Sequence, residues 1–163
     1  MGWMSRLFAE TTRETLSLRW FAFTKVPMLL YVGVSVVEVS PERMVVRIPL
    51  RRRTKNHLGS MYFGALCAGA DCAAGAFAMH LIKQQSKNVS LVFKDFSADF
   101  LKRAEGDVDF CCSQGKEIAE LVALAAISEE RVERQLDVIA TVPSLSDEPV
   151  ARFKLTLSLK KRP

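Results

Sequence analysis

The chain has 163 residues, enough for one domain with a real core, and 49% of them are hydrophobic, which excludes a disordered protein. A net charge of +5 is modest, and a nucleic-acid binder is an alternative that only the pI of about 9.2 and the basic ends suggest, with no RNA-recognition, helix-turn-helix or zinc-finger signature to support it. Four cysteines without CxxC spacing, together with two histidines at no ligand spacing to them, argue for free core thiols and against a metal site.

Taken in order, the opening MGWMSRLFAETTRET lacks the basic-then-apolar layout of a secretory signal and reads, through Trp3, Leu7 and Phe8, as an amphipathic helix. A cytoplasmic protein is the resulting expectation. Residues 1–25 are assigned to this N-terminal helical segment, and Trp3, Trp20, Phe21 and Phe23 are read as its packing residues. Tyr31 to Val39 reads as a strand. After a turn at Ser40, Pro41 and Glu42, the alternation of Met44, Val46, Ile48 and Leu50 marks a second strand. Pro49 belongs at an edge, a bulge or the end of that strand, since it cannot donate a ladder hydrogen bond.

Asp71 is the only Asp, Glu, Lys or Arg between Lys55 and Lys83, set in a run of glycine, alanine and apolar residues that reads as a helix directed to the interior. Burying an ionised acid without a partner costs several kcal/mol or more, so Asp71 is the first functional candidate. A membrane span over Met61–Ile82 is the rival reading, and the central charge disfavours it by about 2.5 to 3.5 kcal/mol.

Beyond it, Asn88 to Phe100 and Asp107 to Ser113 read as strands and Lys116 to Ile127 as a helix. Val132 to Val142 and Ala151 to Lys160 follow as two closing strands, joined across Pro143 to Pro149. Six strands and one long helix rich in small residues predict an α+β fold, an antiparallel six-stranded sheet curled around a central helix. Arg51, Arg52, Arg53 and Lys55, then Lys102 and Arg103, then Lys160 to Arg162 form clusters of positive charge.

The stretch Asn56-His57-Leu58-Gly59-Ser60-Met61-Tyr62-Phe63-Gly64, followed seven residues on by Asp71, resembles the signature of hotdog-fold acyl-CoA thioesterases of the phenylacetate-pathway type. That signature runs N-x-x-G-T-x-H-G-G with a later L-A-D. Asn56, Gly59, Gly64 and Asp71 match its Asn, first Gly, last Gly and catalytic Asp; Tyr62 replaces its His and Phe63 its middle Gly. The resemblance implies a hotdog domain over residues 26–163, hydrolysis of an acyl-coenzyme A thioester and two equivalent sites per homodimer; the expected assembly is a homodimer or, with further association, a tetramer. It selects the Phe63 backbone amide as donor to the thioester oxygen and Asp71 as general base or nucleophile, with Asn56 orienting water or carboxylate.

No cofactor is expected beyond the coenzyme A carried by the substrate. Ser60 reads as a helix N-cap, and an alternative is that it occupies the very amide of Phe63 that the reaction needs. Tyr62, Gly64 and Ser90 are candidate substrate contacts, and Arg51, Arg52, Arg53, Lys83 and Lys87 are candidates for the phosphates of coenzyme A. Helix geometry puts Phe63 and Asp71 about 12 Å apart, too far to serve one carbonyl, so two chains must combine. A non-catalytic acyl-CoA or acyl-carrier binding protein is the alternative, on the ground that Tyr62 and Phe63 close the oxyanion site.

Overall fold

The computed structural model describes residues 3–85 and 87–162. Two N-terminal helices, α1 (Trp3–Lys25) and α2 (Pro27–Val32), precede strands β1 (Ser35–Val39) and β2 (Met44–Ile48). The long helix α3 (Phe63–Gln84) follows, then β3 (Val89–Phe100), β4 (Val108–Cys112), α4 (Gly115–Ile127), β5 (Val132–Val142) and β6 (Ser146–Lys161). All neighbouring strands are antiparallel, in the order β1-β2-β4-β5-β6-β3, which leaves β1 and β3 as the edges.

The sheet curls because each strand has one apolar face that only a helix can cover. Met44, Val46 and Ile48 of β2, Val108, Phe110 and Cys112 of β4, and Leu136, Val138 and Ala140 of β5 are buried beneath α3 and α4. The outer face is mixed: Arg47 of β2 pairs there with Asp109 of β4, and Val45, Cys111 and Ile139 lie side by side across β2, β4 and β5. α3 lies against the sheet closely enough that a Cβ at Gly69 would meet the Phe110 ring at 2.3 Å. By length and composition α3 could cross a membrane, but here the sheet wraps it as the core helix.

Two boundaries differ from the sequence reading by four residues or more. Tyr31 and Val32 belong to α2 rather than to β1, because Pro27 fixes the first turn and Gly33, at φ +74°, ends the helix in the left-handed region. β6 begins at Ser146 rather than Ala151: Pro143–Leu145 make a tight turn, and a register shift lets the polar residues after it pair with β5. Pro49 follows directly on the last residue of β2, one of the positions its missing N–H allows.

α1 is stitched to the sheet edge by Thr15, whose Oγ1 accepts the Val36 N–H at 2.9 Å, and by buried Leu18 and Ala22. The side chains of Trp3, Leu7 and Phe8 lie outside the described residues. Trp20 and Phe23 are not packing residues: their rings are 69% and 65% exposed, because α1 turns its opposite face to the core.

Candidate active site

The loop from Pro49 to Tyr62 is built by its own polar groups. Fully buried Thr54 accepts the Arg51 N–H at 2.8 Å and donates its hydroxyl to the Pro49 carbonyl at 2.7 Å. Further along, Asn56 Oδ1 accepts the Leu58 N–H at 2.9 Å and Asn56 Nδ2 donates to Ser60 Oγ at 3.0 Å. Gly59 makes this turn possible at φ +81°, where a side chain would strain the backbone. Two backbone bonds then fix the exit of the loop: the Tyr62 N–H reaches back to the Thr54 carbonyl and the Met61 N–H reaches the distant Ala104 carbonyl, both at 2.8 Å.

That loop delivers the chain to the start of α3 with its first amides open. Tyr62, extended at φ −64° and ψ 137°, is the N-cap and supplies no side-chain cap. Its carbonyl takes the N–H groups of Ala65 and Leu66. Among the described residues, the N–H groups of Phe63 and Gly64 have no partner. Ser60 therefore is not the N-cap expected from the sequence: buried two residues before the cap, it spends its hydroxyl on Asn56. The donor that the resemblance selects is free, and it carries the positive end of the α3 dipole.

Around it lies a groove of about 510 Å³. Asn56, His57, Tyr62, Phe63 and Leu66 line one side, and Phe100, Leu101, Lys102 and Arg103 the other. The Tyr62 and Phe63 rings meet edge-on at 4.9 Å, and Phe63 reaches the Phe100 ring at 6.3 Å. Gly64 is required for this arrangement, because a Cβ there would come within 2.6 Å of the Tyr62 ring. Phe63 itself is 57% exposed, so its ring stands in the groove rather than under it.

Asp71 occupies a different environment from the buried one its apolar setting suggested. It is exposed on the outer stripe of α3, the stripe that also carries the half-buried Gly64, Cys67, Ala68 and Gly75, while the opposite face of the helix fills the core. The stripe escapes detection in the sequence because alanine and glycine serve equally well on either face. No ion-pair partner accompanies Asp71 among the described residues, and the surrounding protein withdraws enough solvent to raise its carboxyl pKa above the ordinary value. Along the helix axis it sits about 12 Å from Phe63.

The remaining sequence candidates separate. Ser90 Oγ donates to the Lys160 carbonyl at 3.0 Å, a contact within the β3–β6 pair. Lys83 Nζ approaches Ser17 Oγ of α1 at 3.4 Å, and Lys87 is exposed beyond α3. Arg51 and Arg53 line a separate cleft with Arg19, and Arg52 is exposed beside them. His80 lies 3.5 Å from Glu14, away from the groove. Burial raises all four thiols, Cys72 to about 12 and Cys112 to about 11, which disfavours the thiolate that a cysteine nucleophile needs.

Lys102, Arg103 and Phe100 are groove residues that the sequence reading did not join to the motif. The first two stood out as a charge cluster, but only the Met61–Ala104 hydrogen bond, 43 residues apart in the chain, brings them to Phe63. Lys102 is paired with Glu148, whereas Arg103 has no ion-pair partner among the described residues.

An antiparallel sheet of order β1-β2-β4-β5-β6-β3 wrapped on one long helix is the hotdog fold. The chain belongs to the DUF4442 family, a domain of unknown function whose model matches residues 15–159. Among solved structures it is similar to a Chlorobaculum tepidum protein of unknown function, at 12% identity and a TM-score of 0.81 over 93% of this chain and 97% of that one. A Pseudomonas aeruginosa protein of unknown function, described as a probable thioesterase, matches at 23% identity and TM-score 0.73, covering 91% and 96%. A thioesterase from Haemophilus influenzae matches at 15% and 0.68, covering 90% of each chain. Among curated proteins none matches this sequence.

Proposed function

We propose that the protein hydrolyses the thioester of an acyl-coenzyme A and does so as a homodimer. The observation that carries this reading is the unpartnered Phe63 N–H at the head of α3, beside a groove lined largely by apolar side chains. Asp71 removes a proton from water, and the hydroxide attacks the thioester carbon while the carbonyl oxygen gains charge against the Phe63 amide of the other subunit. The tetrahedral intermediate then expels the thiolate. Its conjugate acid has a pKa near ~8.5, so no general acid is required for departure. In the variant of this route, the Asp71 carboxylate attacks directly and water resolves the mixed anhydride.

Edge strand β3 offers the second subunit its free backbone groups, and Val92, Phe96 and Phe100 are exposed along it. Pairing two β3 strands about a two-fold axis places the outer stripes of two α3 helices next to each other, where small residues permit close approach. Asp71 then lies within reach of the partner's first helical turn, covered and more strongly desolvated than in the single chain. Asn56 serves as a positioning residue that shapes the loop presenting the amide. Arg103, with Lys102, is assigned to the anionic end of coenzyme A, since both line the groove and Arg51 to Arg53 do not.

One observation favours a second reading, an acyl-CoA binding protein without turnover: the Phe63 ring stands where the family signature has glycine. A hydrolysis screen over acyl-CoA esters of varied length and aromaticity, with ligand affinity measured in parallel, separates the two. Turnover in wild type that is lost in Asp71→Asn, with affinity kept, supports the hydrolase. Background rates only in both proteins, with affinity kept, establish the binding protein, and a monomer in sedimentation excludes the composite site.

A further inference from the structure

The outer face of the two N-terminal helices carries large apolar side chains among its basic and hydroxyl ones. Leu16, Trp20 and Phe23 are spaced four and three residues apart on α1 and all three are exposed, with the two aromatic rings 6.3 Å apart. α2 continues the surface with exposed Met28, Leu30 and Tyr31. Patches of this kind mark a contact surface, and aromatic residues in particular suit a boundary that is apolar on one side and wet on the other.

Next to it lies a cleft of about 340 Å³ in which Arg19 of α1 meets Arg51 and Arg53 of the loop after β2, with Leu30 and Gly33 between them. The Arg53 guanidinium lies 5.7 Å from the centre of the Tyr31 ring. None of these three arginines has an ion-pair partner among the described residues. The chain holds no Asp or Glu from Thr15 to Val37 or from Arg43 to Ala70; the two acids of α1 lie before these stretches, Glu14 beside His80 and Glu10 in another cleft with Glu38 and Gln84. Asp107 does reach the loop, but its Oδ1 accepts the Leu50 N–H at 2.8 Å. Three uncompensated guanidinium groups in one cleft call for an anion, and the forked donors of Arg match a phosphate.

We propose that this face docks on an anionic phospholipid surface, with Leu16, Trp20 and Phe23 entering the interfacial layer and the Arg19–Arg51–Arg53 cleft taking a lipid phosphate. A soluble phosphate would satisfy the arginines and leave the exposed rings bare; a membrane surface satisfies both. A second copy of this chain is the poorer occupant, because a two-fold contact through this face sets one arginine cluster against another. The site is independent of the groove at Phe63, with which its cleft shares no lining residue.

The test is sedimentation of the whole protein with vesicles of phosphatidylcholine alone and of phosphatidylcholine mixed with phosphatidylglycerol, at low salt. The proposal expects binding to the mixed vesicles at least tenfold stronger than to the neutral ones, with a blue shift of Trp20 emission read in a Trp3→Phe background. Arg19→Glu with Arg53→Glu, and separately Trp20→Ser with Phe23→Ser, should each weaken that binding tenfold or more. All four side chains are surface groups, so unchanged circular dichroism and melting are expected and are the check that loss of binding is not loss of fold. Absence of binding to the mixed vesicles overturns the proposal, as does equal binding by the charge-reversed protein. Displacement by millimolar inorganic phosphate assigns the cleft to a free anion instead. If, without lipid, wild type sediments as a larger species than the Trp20→Ser, Phe23→Ser protein, the face joins two copies and the proposal fails.

Discussion

Phe63→Pro removes the N–H assigned to the oxyanion, and the Phe63 ring with it, while keeping the backbone path of the helix start. Phe63 is the first residue of α3, the position where proline's fixed φ suits the helix and its missing N–H costs no intrahelical bond. The residue before it, Tyr62, already sits at φ −64° and ψ 137°, in the extended region that a following proline demands. Proline lowers the entropy of the unfolded chain by about 0.4–1 kcal/mol, and losing the ring contacts to Tyr62 and Phe100 costs about 0.5–1.5 kcal/mol. Stability should thus stay within about 1 kcal/mol of wild type. Loss of one preorganised oxyanion donor lowers kcat by about 10²- to 10³-fold. The assay follows the thioester ultraviolet absorbance under saturating acyl-CoA, with Phe63→Ala as the companion that keeps the amide and deletes the ring. A fully active Phe63→Pro protein refutes the role of the amide, and equal losses in the proline and alanine variants transfer the effect to the side chain.

Two stability predictions follow from the same geometry. Because desolvation raises the Asp71 pKa in the fold, its charged form is the less favoured one there, and the stability it permits is present below the unfolded-state carboxylate range and lost as pH rises through the raised folded value. Asp71→Asn should therefore melt higher than wild type at pH 7, with the gap closing as pH falls into the acid range; a lower melting temperature at pH 7 contradicts the desolvated setting. Gly69→Ala sets a methyl 2.3 Å from the Phe110 ring, which is fully buried and packed on Phe153, so overpacking of about 1–3 kcal/mol outweighs the helix-propensity gain of about 1 kcal/mol. Melting should drop by several degrees at about 2–4 °C per kcal/mol, and an unchanged melting temperature would show that α3 stands further from the sheet than it does here.

What the sequence determined by itself is what depends on short-range periodicity and on residue type. Alternation in β2, β5 and β6 announced which faces turn inward, since a strand has only two faces and one of them must be covered. The glycines and alanines of α3 announced close packing on a sheet. The six-residue helix α2 was hidden because one and a half turns give no readable period. Which apolar stripe of α1 faces the core was hidden as well, since Leu18 and Ala22 look no more buried in the sequence than Trp20 and Phe23.

Only the tertiary structure decided the composition of the site. Asp71 looks buried to any reading of its neighbours along the chain, and it is the wrap of the sheet around the other face of α3 that leaves it outside. Ser60 has the chemistry of a cap, yet Asn56 captures it first, and that competition between two local hydrogen bonds leaves the Phe63 amide open. Arg103 reaches the groove through a loop contact that no local pattern encodes, because sequence constrains neighbours within a turn or two, whereas a groove is made where distant segments are brought together by burial of the core between them.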